Sequence, residues 1–321
     1  MLKVYDSATL KSLITEPFDV FICSSSFEER SKSAAEVIEP DLFSQALVCI
    51  NQNNVYLAKK NAEFLINRFG KKTQEVLFNS TNPLTFADNV ATHLKQTKKE
   101  HSQRYLVDIT TFTRECLLIL LGLLRLILKQ TDILYFIYNL ASNYSLEDSI
   151  ENKWLAKGIS DIRSVLSYSG DWRPSRKIHL IILVGIEYER ATKLIGAFEP
   201  ASVTLGFCED AETIKLTDLG LNKLFYERLK NSYLNVNNSF LFPCLDPMQT
   251  KNMILEQTKS NYNVVVASLN NKVSTLGAGL AAIENKSIQL CYAQANQYNF
   301  DNYSLPSDRF CLFELQGLLA K

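Results

Sequence analysis

Val20–Arg30 reads VFICSSSFEER, and a near-echo at Leu180–Arg190 reads LIILVGIEYER. Each is an apolar run, a short loop, and a Glu-Arg pair opening a polar-apolar periodic segment. An apolar run without alternation fits a strand covered on both faces, and the periodic segment fits a helix. Glu29-Arg30 and Glu189-Arg190 are followed at the same distance by Glu39-Pro40 and Glu199-Pro200. Two copies of one strand-loop-helix opening, so far apart in one chain, predict two similar halves.

Outward from these stretches the same alternation continues. In the first half, strands are expected at Val20–Cys23, Ala46–Ile50, Glu75–Phe78, Tyr105–Ile109 and Ile133–Tyr138. Helical segments fill Glu28–Ile38, Val55–Phe69, Leu84–Lys99 and Thr113–Lys129. The second half repeats the order. Its strands are Ile178–Val184, Ser202–Phe207, Ser239–Phe242, Asn263–Ala267 and Ile288–Tyr292, and its helices are Glu187–Phe198, Leu219–Asn231, Pro247–Ser260 and Lys272–Ile283. Strand-helix alternation of this kind predicts a doubly wound, mainly parallel sheet.

The rhythm breaks at Asn139–Ser169. Trp154, Leu155, Ile159, Ile162 and Val165 recur at helical spacing, so Leu146–Leu166 is expected to be a connecting helix, closed by Ser169-Gly170-Asp171 and Pro174. The bends leaving the fifth strands also match, Tyr138–Tyr144 against Tyr292–Tyr298. The expected fold is α/β: two tandem Rossmann-like units related by internal duplication, 1–145 and 176–321, with a helical connector at 146–175. Arg309–Leu319 is expected to add a strand and a short helix.

With 34 acidic and 34 basic residues among 321 the formal charge is zero, which removes the usual signature of a general nucleic-acid or membrane-surface binder. A local basic patch stays open. The seven cysteines form no CxxC pair and mostly lie in apolar runs, so free buried thiols of a reducing compartment are expected. Three histidines without metal-ligand spacing argue against structural zinc. The opening residues lack a signal-peptide apolar core, and Cys116–Leu128 is too short to span a bilayer. A soluble cytoplasmic protein is the expectation.

Ligands of an open parallel sheet bind beyond the carboxyl ends of its strands, near the point where strand order reverses. Four loops fall there. In the first, Ser25, Ser26, Glu29 and Arg30 combine hydroxyls and charges able to hold an anion, although Ser24 or Ser25 could instead simply cap a helix. The second, DITTFTRE, sets Asp108 at a strand end, where it can bind a ribose hydroxyl or a metal. Thr110, Thr111 and Arg114 can contact phosphate, or a threonine can cap the helix while Arg114 pairs with a carboxylate. The third, GIEYER, offers Glu187, Glu189 and Arg190, although its glutamates also suit the positive end of a helix dipole at an exposed helix start. The fourth, SLNNKVSTLG, places Asn271, Lys272 and Thr275 at a helix start, able to hold a phosphate or to form a plain Asn-capped turn. It is not a Walker A motif.

The loop SLNNKVSTLG after a fourth strand resembles that of CARF-type Rossmann-like sensors. Those bind cyclic oligonucleotides across a pseudo-two-fold axis, usually as dimers, and two tandem halves would supply such an axis internally. The resemblance covers about ten residues plus the layout, lacks the Gly-Gly/Gly-Thr-Lys step, and implies roles for Asn271, Lys272 and Thr275. FDVFICSSS resembles the first strand of TIR domains, which cleave NAD with a glutamate on a later helix. Glu115 is the matching candidate, without the expected Trp-Cys context. VDITTFT is similar to phosphoribosyl-binding loops, but without their paired acids and glycine.

Together these readings lead to an expected nucleotide or phosphorylated small-molecule ligand at a cleft between the halves, with Arg30, Asp108, Arg190 and Lys272 converging there. The sensor resemblance implies signalling in bacterial defence or stress, alone, as a homodimer or with a protein partner. The alternative is a nucleotide- or NAD-cleaving glycosidase or hydrolase using Asp108, Glu115 or Glu189, and a scaffold subunit is a third. No cofactor is identified by any motif.

Overall fold

The computed structural model describes residues 4–52, 56–144, 154–186, 188–208 and 219–315. The strands are β1 (Val4–Asp6), β2 (Phe18–Ser24), β3 (Phe43–Asn51), β4 (Thr73–Phe78), β5 (Arg104–Asp108), β6 (Ile133–Tyr144), β7 (Ala156–Ser164), β8 (Ile178–Leu183), β9 (Ser202–Cys208), β10 (Val236–Phe242), β11 (Asn263–Ser268), β12 (Ile288–Tyr298) and β13 (Ser304–Glu314). The helices are α1 (Ser7–Leu13), α2 (Ser33–Val37), α3 (Tyr56–Phe69), α4 (Pro83–Gln96), α5 (Arg114–Ile127), α6 (Tyr188–Phe198), α7 (Leu219–Ser232), α8 (Pro247–Gln257) and α9 (Lys272–Glu284).

Two compact units result. Unit 1 comprises 1–142 and 304–321, and unit 2 comprises 143–303. The sheet of unit 1 runs β1-β13-β6-β5-β2-β3-β4, and that of unit 2 runs β10-β9-β8-β11-β12-β7. Numbering each unit's parallel strands from β2 and from β8 gives one order, third-second-first-fourth-fifth, in both. That is the doubly wound arrangement, with its switch point between first and fourth strands. β2 and β8 are equivalent central strands, as the paired Glu-Arg stretches required.

Burial explains the choice. Val20, Phe21 and Ile22 in β2, and Leu180, Ile181 and Ile182 in β8, are all sealed from solvent. In unit 1, Phe21 packs its ring 4.9 Å from Phe43 and 5.3 Å from Phe69, joining sheet to helix. In unit 2, Leu180, Ile182, Val203, Leu205 and Val265 form the matching cluster with Leu194 of α6. No helix among the described residues is long and apolar enough to cross a membrane.

Four expectations need correction. Ala156–Ser164 of the supposed connecting helix is a strand, antiparallel to β12. Its register slips where Asp161 faces Gln294 and Ile159 faces Ala295, leaving Ser160 as an extra residue. That bulge puts Ile159 and Ile162 on one face, so a three-residue spacing mimicked a helix. The earlier part of that segment, 146–153, lies outside the described residues.

Nor are Tyr138–Tyr144 and Tyr292–Tyr298 bends. Both continue their fifth strands, and residues 292–298 pair with β7. Glu28–Ile38 is a short turn at Glu29–Ser31 followed by the five residues of α2, not one long helix. Cys208 and Cys244 are joined as a disulfide with Cα atoms 5.3 Å apart, leaving five free, buried cysteines instead of seven. The tail does add a strand, β13, while the short helix expected after it falls at 316–319, outside the described residues.

β13 lies against β6: Leu315 N donates to Leu134 O while Ser307 Oγ donates to Leu140 O, so the strands run antiparallel. Each unit's fifth strand is therefore flanked by an antiparallel strand that follows the other unit's fifth strand in the chain.

Candidate functional site

Unit 1 brings its first two candidate loops together because β2 and β5 are neighbours. Thr111 Oγ1 donates to Ser24 O at 2.7 Å and ties one loop to the other. Ser26 O and Glu28 O accept from Asn61 Nδ2 of α3 at 2.8 and 3.2 Å. Thr113 caps α5 by accepting from Cys116 N, so Thr110 and Thr111 are released from that role. Neither Ser24 nor Ser25 caps a helix, and α2 is too short to concentrate a helix dipole on the loop.

Asp108 ends β5 and is only 3% exposed. It accepts from Thr110 N at 2.9 Å and from the Thr110 hydroxyl. Burial pushes its carboxyl up to about 6, against the lowering effect of both Thr110 bonds and of the Arg30 charge. Thr110 Oγ1 in turn accepts from Asn139 N at 3.0 Å.

Arg30 is buried, and its bonds are internal. Its guanidinium donates to Glu28 Oε2 at 2.5 and 3.1 Å, to Ser304 Oγ at 3.0 Å and to Asn139 O at 3.0 Å. Ser304 also donates to Glu28 Oε2 at 2.6 Å. The expected anion-binding arginine thus clamps the loop after β2 to β6 and β13. Glu29 is exposed and pairs with Lys32 at 2.5 Å. Ser26 is half-buried, and Arg114 and buried Glu115 open α5.

Four buried polar atoms near these loops have no hydrogen-bond partner: Ser25 Oγ, Ser31 Oγ, Asn61 Oδ1 and Asn139 Oδ1. Asn61 and Asn139 were not singled out from sequence. Asn61 lies on the buried stripe of α3 with Ala58, Ala62 and Leu65, and a polar residue on such a stripe was the available signal.

In unit 2, β8 and β11 are neighbours and their loops touch. A Cβ on Gly185 would lie 2.1 Å from Leu269 O, so only glycine allows this approach. Asn270 Nδ2 donates to Val184 O at 2.7 Å, and Asn270 Oδ1 accepts from Asn271 N at 2.8 Å. Asn271 caps the 13-residue α9, its Oδ1 accepting from Ser274 N at 2.8 Å. It is only 5% exposed, and its Nδ2 has no partner. Lys272 follows, half-buried. Thr275 is fully buried and bonds Asn271 O at 2.8 Å and Ser268 Oγ at 3.0 Å, so it braces the helix start from inside.

Glu189 Oε2 accepts from Gly158 N of β7 at 3.1 Å, and Arg190 is buried in the first turn of α6. Glu187 lies outside the described residues. Of the four groups expected to converge, Arg30 and Asp108 belong to unit 1, and Arg190 and Lys272 to unit 2.

No protein-family model matches the chain, and no curated protein matches it significantly. Among solved structures, a type III CRISPR defence DNA nuclease activated by cyclic oligoadenylate is similar over 89% of this chain and 67% of its own, with a TM-score of 0.52 and 8% identity. That likeness is one of fold. The cytoplasmic domain of a prokaryotic cation chloride cotransporter aligns over 88% of this chain and 98% of its own at a TM-score of 0.25 and 7% identity. Spermidine synthase from Thermotoga maritima aligns over 41% of each chain at 0.23 and 16% identity. Neither of the last two informs the fold.

Proposed function

We propose that the protein recognises a nucleotide or phosphorylated small molecule at its switch-point loops and acts as a sensor in a defence setting. The observation that carries this is Asn271. Its amide is held rigidly by its capping bond, yet presents a buried donor without a partner at the amino end of a long helix, beside Lys272. A buried donor left unpaired is costly, and an anionic or carbonyl-bearing ligand would relieve it. The fold shared with a cyclic-oligoadenylate-activated nuclease supports cyclic oligonucleotides as the first class to try.

The test is a thermal-shift panel of cyclic oligoadenylates, cyclic dinucleotides, ATP and NAD. Binding raises the melting temperature in proportion to the logarithm of ligand over Kd. One ligand class should stabilise the wild type without being consumed. A panel that shifts nothing overturns the proposal.

A second reading rests on Asp108, whose carboxyl near 6 suits a general acid or base at neutral pH. If chromatography shows NAD or a nucleotide disappearing, and Asp108→Asn stops this while the thermal shift persists, the protein is an enzyme.

A further inference from the structure

The segment 165–177 carries the chain from β7 to β8 across the amino-terminal edge of the unit 2 sheet, opposite the switch-point loops. It has no regular structure but is firmly held. Val165 N donates to Leu290 O, and Leu290 N to Tyr168 O. Gly170, at φ +68°, leaves no room for a Cβ, which would meet Gln289 N at 2.9 Å and Ser287 O at 3.1 Å. Buried Asn263, at the start of β11, accepts from Arg173 N at 2.9 Å and donates to Arg173 O and Arg176 O at 2.7 and 3.1 Å.

What this bracing presents is a cationic face with one flat ring. Trp172 is 47% exposed, and Arg173, Arg176 and Lys177 follow it. Lys259, in the turn before β11, and Lys286, in the turn before β12, join the same edge. None of the five makes an ion pair among the described residues. Asp171, Glu199, Glu256 and Glu284 are carboxylates of this edge, and Glu284 is already paired with Lys251 at 2.6 Å. The partial negative charge at the carboxyl ends of α8 and α9 accounts for Lys259 and Lys286, but not for the three cations on the loop.

We propose that this edge is a docking surface for single-stranded nucleic acid, with phosphates on Arg173, Arg176, Lys177, Lys259 and Lys286 and a base stacked on Trp172. The zero net charge of the whole chain makes such a concentration local rather than general. A cationic track beside an exposed aromatic face is what unstacked bases require, whereas a duplex hides its base faces.

Anisotropy of a short fluorescent single-stranded oligonucleotide, titrated at several salt concentrations, tests it. Affinity should fall linearly with salt on logarithmic axes. Arg173→Ala, Arg176→Ala and Lys177→Ala combined should weaken binding by about tenfold or more and reduce the salt slope by about 2. Trp172→Ala should weaken it by about fivefold or more, and Trp172→Phe by less. All variants should keep the wild-type melting temperature, because these side chains are mostly exposed and make no ion pair among the described residues. Asn271→Ser should leave oligonucleotide binding intact, separating this surface from the proposed ligand site. The proposal fails if the wild type ignores the oligonucleotide at low salt. It fails equally if a duplex or anionic-lipid vesicles bind as well while Trp172→Ala changes nothing.

Discussion

Asp108 carries a stability cost that its two Thr110 bonds do not remove. Its carboxyl is raised from 3.8 to about 6 in the folded protein, so between those values the folded state holds the proton that the unfolded chain has lost. Stability from this group is therefore fully present below about 4, declines as pH rises, and is absent above about 6. A rise of that size corresponds to about 3 kcal/mol. Asp108→Asn keeps a carbonyl acceptor for Thr110 without the charge, so it should melt higher than wild type at pH 8, with the gain shrinking to nothing near pH 4. Scanning calorimetry across that range checks it, and an equal effect at both ends would rule out the buried charge as the cause. Asn271 makes a different prediction. Serine there can still cap α9 but has no amide donor, so Asn271→Ser should cost less than about 1 kcal/mol of stability. It should nonetheless weaken the best nucleotide of the thermal-shift panel by about tenfold, as should Lys272→Ala.

Between elements, the decisive contact is the Glu28–Arg30–Ser304 cluster, which fastens the loop after β2 to β13 while Arg30 also reaches Asn139 O on β6. Arg30→Met strips Glu28 of its buried counter-charge and should cost about 3–5 kcal/mol in urea denaturation. Adding Glu28→Gln should recover part of that loss; if the double variant is simply additive, the two charges do not act as a pair. Sequence alone assigned Arg30 to a ligand because its partner Ser304 is far away in the chain, and charge next to a loop looks the same whether it faces solvent or core. The parallel strands were legible for the opposite reason: β2, β8 and β11 are covered on both faces, and their continuous apolar runs declare it locally. β7 was not, because a bulge at Ser160 shifts its facing pattern by one residue and no local rule announces a bulge. At the candidate sites the loops could be read from strand order, but not which side chains were already satisfied. Arg30 and Thr275 proved internally engaged, while the orphaned amide of Asn271 depends on packing that spacing does not encode.

At the scale of the molecule, the chain passes from unit 1 to unit 2 and back, at 142/143 and 303/304. A fragment of residues 1–145 lacks β13, so β6 keeps a bare edge and Asn139 loses the carbonyls of Ser307 and Arg309, which it bonds at 2.8 and 3.3 Å. Such a fragment should be insoluble or melt without cooperativity by circular dichroism, and grafting residues 304–315 onto it through a flexible linker should restore a sharp transition. A cooperative melt of 1–145 alone would show β13 to be dispensable. The same double passage sets an order of events during synthesis. Domains generally fold in the order in which the ribosome delivers them. Here residues 143–303 are contiguous, while the residues made first must wait for 304–314 before their sheet is complete. The later-made half can therefore finish first, and until residues 304–314 arrive the edge of β6 stands open on the nascent chain, where a chaperone or a neighbouring chain would find it.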